Sequence, residues 1–262
     1  CAQPSSNALT LRVSPSGAER VSDAPPWTLT AVAASEVVRR PLQLYLENNV
    51  SDQHFLTAAV SRFSKWCADG WLEVVMGGGS AMGADIAARS AEVVGRWRSF
   101  FLFDSDRLHP DELVPGWIPS RQDDCQGYKF ECLCADIPAE RWHRLERRSI
   151  ENYLPAVVLR PINRRALDAL VDPAVGAMAQ FYNMKQGLTG DGVSPHDPNK
   201  AARAARSKGF WTGLPASTIA DLEGGFGKHI SNAFSNVPHN HPWSAEVIAE
   251  MQALSNALQG AM

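Results

Sequence analysis

The feature that most constrains the fold is an apolar run that ends in two aspartates. Residues 100–103 read Phe-Phe-Leu-Phe, and Asp104 and Asp106 follow directly. Four consecutive apolar residues are typical of a strand that is covered on both faces, as in parallel sheets. Open parallel sheets bind ligands just beyond the carboxyl ends of their strands, which is where we expect both carboxylates. In an extended chain the side chains at i and i+2 point the same way, so the two aspartates are expected to converge.

Two converging carboxylates repel each other and need a compensating cation. Hard oxygen ligands of this kind favour Mg²⁺ or Mn²⁺. The alternative is that the acidic pair only caps a loop after a core strand. The pair by itself does not decide between these two interpretations, so the surrounding pattern has to.

That pattern alternates between strands and helices. A strand is expected at 42–46, a helix capped by Ser51 or Asp52 through about residue 68, a strand at 71–76, and a helix at 84–97. Such alternation predicts right-handed crossover units, hence an α/β fold with a parallel sheet flanked by helices. Beyond residue 155 the pattern becomes helical, with one helix expected near 219–235, which predicts a C-terminal helical addition beside the sheet.

The predicted strand ends bring chemically useful residues to one edge. Glu47 follows the first strand, and the acidic pair follows the third. Gly77, Gly78 and Gly79 follow the second strand, where a glycine run is either a flexible turn or a loop whose N–H groups approach a phosphate. Because carboxylates follow both flanking strands, we favour the phosphate interpretation.

Composition excludes several classes of protein. The chain has 262 residues, 45% of them hydrophobic, and no apolar run long enough to span a bilayer, so no membrane association is expected. The net charge of -3 means that DNA contact requires local basic patches. Five cysteines without Cys-x-x-Cys spacing argue against a disulfide framework and a structural zinc site, and favour a cytoplasmic location. The Cys-Leu-Cys segment at 132–134 is interpreted as a strand.

Four segments together resemble a known family. They are LYLE at 44–47, VVMGGG at 74–79, FLFDSD at 101–106 and LERRSIENYL at 145–154. The set is similar to the Toprim domain and, more narrowly, to the Toprim nuclease half of the OLD (overcoming lysogenization defect) family. In that family an AAA/ABC-type ATPase precedes a metal-dependent nuclease. The resemblance covers about residues 40–155.

The resemblance implies roles for the acidic residues. Glu47 matches a metal ligand or general base, and Asp104 and Asp106 match the pair that holds one or two Mg²⁺ or Mn²⁺ ions. Glu151 matches an acidic residue of the following segment, although it could instead pin that segment through buried hydrogen bonds. Asp52 is a weaker metal ligand, because Ser51 occupies the position one helical turn after Glu47.

The resemblance also implies a lysine and DNA contacts. Lys228 and Lys185 are both candidates for the catalytic lysine that neutralises charge during phosphodiester hydrolysis, with Lys228 slightly preferred. Ser105, Arg147 and Arg148 are expected to contact phosphate or DNA, and basic residues also recur within 200–208. Trp211 and Phe210 are expected in the core rather than stacked on bases.

The expected organisation has three parts. Residues 1–40 are interpreted as the tail of a preceding ATPase-type domain, with an edge strand or hairpin arm at 9–13 and a helix at 28–40. Residues 41–155 are interpreted as the Toprim catalytic domain, and 156–262 as its helical extension. The chain begins with Cys1, which fits either the tail of a longer protein, the favoured interpretation, or a lipid-modified terminus. The expected partners are DNA and an ATPase domain or subunit through which the protein forms homo-oligomers.

The implied activity is metal-dependent DNA hydrolysis by an endonuclease, used in antiviral defence against phage. Two alternatives remain open. One is another Toprim phosphoryl-transfer enzyme of the primase or topoisomerase kind. The other is a non-catalytic Toprim-like scaffold.

Overall fold

The computed structural model describes residues 11–14, 27–78, 81–117, 125–191, 209 and 211–262. Its strands are β1 (Leu11–Ser14), β2 (Trp27–Thr30), β3 (Leu42–Leu46), β4 (Leu72–Met76), β5 (Ser99–Phe103) and β6 (Trp142–Arg144). Its α-helices are α1 (Ala31–Arg39), α2 (Asn49–Ala59), α3 (Phe63–Ala68), α4 (Met82–Ala91), α5 (Val93–Arg98), α6 (Gln126–Leu133), α7 (Ala156–Leu159), α8 (Arg164–Leu170), α9 (Gly187–Gly190), α10 (Ala216–Leu222) and α11 (Ala245–Ala261). Short 3-10 helices include Ile150–Tyr153, Gly176–Phe181 and Ile230–Asn236. No helix within these ranges is long and apolar enough to cross a membrane.

The main sheet has four parallel strands in the order β4-β3-β5-β6. The strands predicted at 42–46, 71–76 and 100–103 are therefore present as β3, β4 and β5. Helices flank the sheet, so the α/β prediction is confirmed. Because β3, β4 and β5 all run in the same direction, the turns that follow them emerge at the same edge. This edge is the one where the sequence predicts Glu47, the glycine turn and the two aspartates.

Each face of the sheet is covered by its own hydrophobic core. In β5, Phe100 and Leu102 join the larger core, whereas Phe101 and Phe103 join a second core with Met82 of α4. Burial on both faces explains why the strand is continuously apolar rather than alternating. Removing one of these fully buried rings, as in Phe101→Ala, is expected to cost about 3–5 kcal/mol.

The C-terminal residues share the larger core with the sheet. Leu254 and Leu258 of α11 are fully buried in the same cluster as Leu44 of β3. Two buried arginines also bind the end of α11: Arg98 and Arg141 both donate to the carbonyl of Ala261. Cationic groups at the C-terminus of a helix stabilise its unsatisfied carbonyls, so this contact fixes the last helix against the sheet.

Several helical predictions need correction. The helix expected through residue 68 is divided, since the backbone is extended at Val60 between α2 and α3, and the next helix is divided at Glu92. The cap of α2 is Asn48 rather than Ser51 or Asp52. The helix expected near 219–235 is interrupted at Gly225, where φ is +63°, before a 3-10 helix begins.

The predicted strand at 132–134 is wrong. This segment ends α6 and continues as a 3-10 helix. Phe130 and Cys134 lie four residues apart, about one helical turn, and both pack into the second core. The Cys-Leu-Cys pattern is too short to reveal that period.

The N-terminal strands also differ from expectation. β1 and β2 pair in parallel, so they do not form the two arms of a hairpin. The helix predicted from residue 28 begins at Ala31, because Thr30 is extended and its hydroxyl accepts a hydrogen bond from the N–H of Ala33 at 3.1 Å. Trp211 lies in the core as predicted, whereas Phe210 and the basic segment 200–208 lie outside the described residues.

Candidate functional site

Glu47 and Asp104 meet where β3 and β5 end. The Oε1 atom of Glu47 accepts a hydrogen bond from the backbone N–H of Asp104 at 3.0 Å. In turn, Oδ1 of Asp104 accepts from the N–H of Ile150 at 3.0 Å. These two bonds link three separate parts of the chain, so the carboxylates are held in place by the sheet edge and by the segment after β6.

Asp106 reaches the same region by a turn rather than by strand geometry. The strand ends at Phe103, and Asp106 has a left-handed backbone with φ of +54°. The expectation that an extended chain points Asp104 and Asp106 the same way is therefore wrong. The N–H of Asp106 donates to the carbonyl of Arg148 at 2.9 Å, which holds this strained turn against the LERRSIENYL segment.

Asp52 and Glu151 supply two further buried carboxylates. Asp52 lies in the first turn of α2, where its Oδ2 atom accepts from the N–H of Asn48 at 2.9 Å. Glu151 lies in the 3-10 helix Ile150–Tyr153, and its side chain is 2% exposed. The Nζ atom of Lys185 lies 2.9 Å from Oε1 of Glu151. The fold thus gathers acidic residues from four segments together with one lysine.

Mutual repulsion and burial perturb the titration of these groups. Burial raises the pKa of Glu47 to about 8, and repulsion by Asp106 and Asp52 adds to this effect. Burial also raises the pKa of Asp52 to about 6. The pKa of Asp104 lies well above its ordinary value because of burial first and the charges of Glu47 and Glu151 next. The cluster therefore brings together more carboxyl groups than one lysine can neutralise, and these groups resist ionisation.

Lys185 responds in the opposite sense. Burial lowers its pKa, but the carboxylates of Glu151, Asp104 and Glu47 together outweigh burial, so the net pKa is raised. The ammonium group is consequently protonated at neutral pH. It supplies positive charge to the cluster rather than acting as a base.

The donor chemistry of the cluster suits a hard divalent cation. Carboxylate oxygens are the preferred ligands of Mg²⁺ and Mn²⁺. The Oε2 atom of Glu151 is buried and has no hydrogen-bond partner among the described residues. A buried carboxylate oxygen without a donor is costly unless a cation or water satisfies it.

The carboxylates are nevertheless not pre-arranged as a complete coordination sphere. Within the described ranges, no group of three or more His, Cys, Asp or Glu side chains is positioned to hold an ion as it stands. Each carboxylate is bonded to a local partner instead: Glu47 to Asp104, Asp104 to Ile150, Asp52 to Asn48 and Glu151 to Lys185. As placed, these oxygens bond to separate protein groups rather than to one shared ion.

The glycine turn after β4 is tightly built at its start. Gly77 is buried, and its N–H donates to the carbonyl of Leu46 at 2.9 Å. A Cβ atom there would lie 3.1 Å from the sulfur of Met82 and 3.3 Å from the Leu46 oxygen. Gly78 has φ of +54°, which suits glycine, and precedes α4. Gly79 lies outside the described residues.

The three residues expected to contact phosphate each make contacts within the protein. The hydroxyl of Ser105 is buried and donates to the carbonyl of Arg147 at 2.7 Å. Arg147 donates to the carbonyl of Asn152 at 2.6 Å and stacks over Tyr153. Arg148 forms a bidentate ion pair with Asp191. These contacts help to hold the site together.

The two candidate lysines are separated by the structure. Lys185 lies at the carboxylate cluster, whereas Lys228 is exposed. The N–H of Gly227, just before Lys228, donates to the carbonyl of Lys185 at 3.0 Å. The helix expected to open at Lys228 starts at Ile230 and is a 3-10 helix. The sequence preference for Lys228 is therefore reversed in favour of Lys185.

One residue at this site was missed by the sequence reasoning. Asp191 lies in a stretch rich in Gly, Asp and Pro, which has the composition of a surface loop. No local pattern marks it, because its partner Arg148 is 43 residues away. Only the fold brings the two together.

Comparisons of the chain with protein-family models, with curated proteins and with solved structures give no match. What the site can do must therefore be judged from its own residues.

Proposed function

We propose that this protein is a divalent-metal-dependent nuclease that hydrolyses phosphodiester bonds of DNA. The observation that carries the proposal is the convergence of carboxylates from separate segments on Asp104, with a lysine at their margin. Structural ion-pair networks normally balance their charges. Here several acidic groups are partly neutralised by protonation instead, which is the signature of a site that accepts an additional cation.

Glu47, Asp104 and Asp106 would hold Mg²⁺ or Mn²⁺, with Asp52 and Glu151 as further oxygen donors. When bound, such an ion supplies Lewis-acid polarisation of a phosphoryl oxygen and neutralises developing negative charge. The protein contributes the fixed positions of these carboxylates at the sheet edge. The main-chain bonds to Glu47 and Asp104 limit how far the two side chains can move.

Lys185 supplies the second positive charge of the proposed site. Its ammonium group is paired with Glu151, and its side chain is 46% exposed. It is therefore anchored on the protein side and open on the other, where a DNA phosphate can approach. Hydrolysis at phosphorus increases the negative charge on the equatorial oxygens, and a fixed ammonium stabilises that charge.

We further propose that the fold is Toprim-like and that the protein is the nuclease half of an OLD-type ATPase-nuclease used in phage defence. The parallel α/β sheet supports this assignment in general terms. More specific support comes from the segments that carry the family resemblance. Residues 44–47, 101–106 and 145–154 all contribute to the same cluster. The DNA substrate and the ATPase partner belong to this proposal.

The test is cleavage of supercoiled plasmid by the purified protein. We expect nicking that requires Mg²⁺ or Mn²⁺ and that falls by at least about 100-fold in Asp104→Asn and Asp106→Asn. Asp168→Asn is the matched control, because Asp168 is exposed and pairs with Arg164 away from the cluster.

Binding of Mn²⁺ should be measured on the same proteins by calorimetry. We expect the wild-type protein and the Asp168 variant to bind, and both site variants to lose at least about tenfold in affinity. Equal cleavage by all four proteins would refute the assignment. Metal binding by the wild-type protein without cleavage of any DNA would favour a non-catalytic scaffold.

A further inference from the structure

Asp191 is a buried carboxylate that lies outside the acidic cluster and touches both of its supports. Its side chain is 6% exposed. The Oδ1 and Oδ2 atoms accept from Nη2 and Nη1 of Arg148 at 2.6 and 2.8 Å. Oδ1 also accepts from Nδ2 of Asn183 at 3.2 Å. A bidentate pair with this burial fixes the orientation of both side chains.

The contact with Arg148 supports the acidic side of the site. The carbonyl of Arg148 accepts from the N–H of Asp106, and its own N–H donates to the carbonyl of Gln180 at 3.0 Å. Its guanidinium also donates to the carbonyl of Phe181 at 3.2 Å. Asp106 has a left-handed backbone, which is unfavourable for a residue other than glycine and persists only where its surroundings hold it. The carbonyl of Arg148 is one of the groups that hold it.

The contact with Asn183 supports the basic side. The Oδ1 atom of Asn183 accepts from the N–H of Gln186 at 3.0 Å, and its carbonyl accepts from the N–H of Gly187 at 2.7 Å. These bonds close the turn that contains Lys185. A shift of Asn183 would therefore move the ammonium group relative to Glu151.

We infer that Asp191 is a positioning residue that sets the separation between Asp106 and Lys185, the acidic and basic sides of the site. The inference rests on the proposed nuclease function for its catalytic consequence. It does not depend on that function for its structural content. Among the described residues, the side chain of Asp191 bonds to Arg148 and Asn183 and to none of the carboxylates of the cluster, so it acts through these two side chains.

The experiment compares Asp191→Asn with Glu131→Gln. Glu131 is a matched control because it also lies 2.6 Å from an arginine, Arg144, whose side chain is 17% exposed against 15% for Arg148. Each substitution removes one carboxylate charge from an arginine pair. Only the first pair is connected to Asp106 and Lys185.

Two measurements are made on both variants and on the wild-type protein. Amide hydrogen exchange reports on the Asp106 and Gly187 N–H groups, whose acceptors are carbonyls of the two supports. We expect exchange in segments 104–108 and 183–189 to accelerate by roughly tenfold or more in Asp191→Asn only. For plasmid cleavage by Asp191→Asn, kcat should fall by roughly 10- to 100-fold, while KM for DNA should stay within about twofold of the wild-type value. The reason is that misplaced groups affect the transition state more than they affect substrate binding.

The outcomes separate the two proposals. Unchanged exchange in both segments of Asp191→Asn overturns the positioning role, whatever happens to cleavage. Faster exchange spread evenly over the protein also overturns it, because that result indicates general destabilisation. If the wild-type protein does not cut DNA, the nuclease proposal fails, and the exchange data still decide whether Asp191 holds the two segments.

A second variant protects the test against misfolding. Loss of one partner leaves the guanidinium of Arg148 largely buried without its counter-charge, which is strongly destabilising. If Asp191→Asn does not fold, the double variant Arg148→Met/Asp191→Leu removes both charges, and such apolar replacements are often tolerated. The same local acceleration of exchange is expected there, and its absence refutes the inference.

Discussion

Glu47→Gln separates the charge of Glu47 from its hydrogen bond. The carboxamide oxygen of glutamine can still accept the bond from the N–H of Asp104, so the sheet-edge contact is retained. The negative charge, however, is lost. We therefore expect the variant to be more stable than the wild-type protein at high pH when divalent ions are chelated, even though it is inactive.

The sign follows from the direction of the pKa change. The pKa of Glu47 is raised from an ordinary value of 4.5 to about 8 in the folded protein. Stability from the protonated form is fully present below 4.5, falls as the unfolded chain ionises above it, and is lost as the pH rises through about 8. Wild-type stability should thus decline between these two values, and Glu47→Gln should remove Glu47's share of the decline.

The magnitude can be bounded from the same values. The difference between 4.5 and about 8 corresponds to about 5 kcal/mol at about 1.4 kcal/mol per pH unit. Glu47 is partly buried, and solvent screening of its exposed portion reduces this to about 2–3 kcal/mol. For a chain of this size, such a difference changes the melting temperature by roughly 5–10 °C.

The assay is thermal unfolding in chelator at pH 5 and pH 8, followed by addition of Mg²⁺ at pH 8. The wild-type protein should melt at a lower temperature at pH 8 than at pH 5, and saturating Mg²⁺ should restore much of the loss by binding the folded state. The variant should show a smaller pH effect and a smaller response to Mg²⁺. An identical dependence on pH in both proteins would refute the account of the cluster's electrostatics.

Three further results are expected. In steady-state assays of plasmid cleavage, Lys185→Ala should lower kcat by roughly 100-fold, and Lys228→Ala should change kcat by less than about twofold. Equal losses in the two variants would contradict the choice of Lys185. Gly77→Ala should lower the free energy of unfolding in denaturant by about 1–2 kcal/mol, because the added Cβ would crowd the side chain of Met82 and the carbonyl oxygen of Leu46. An unchanged denaturation midpoint would show that the turn can relax. Glu250→Gln should cost about 1–2 kcal/mol, since the carboxylate accepts from the hydroxyl of Tyr153 at 2.7 Å, and thermal melts that match the wild-type protein would contradict this.

The strands β3, β4 and β5 were predictable because each carries a strong local signal, whereas β2 and β6 were not predicted. Phe100 to Phe103 are apolar on both faces, and the structure buries both faces in separate cores. Glu47 and Asp104 could be placed at one edge because parallel strands all present their carboxyl ends on the same side. Helix boundaries were less predictable, since the breaks at Val60 and Glu92 depend on how neighbouring elements pack.

The sequence alone determined the α/β class, the order of the parallel strands along the chain and the acidic residues at their ends, because these depend on local periodicity and on a general rule of chain direction. Only the tertiary structure decided the roles of the basic residues. The sequence around Lys185 and the sequence around Lys228 do not distinguish the two lysines. In the fold it is Lys185 that lies against Glu151. Arg148 is a residue of the type that commonly contacts DNA. In the fold, however, it pairs with Asp191, which lies 43 residues away in the sequence. Long-range ion pairs leave no periodic trace in a sequence, so they become visible only when the chain is folded.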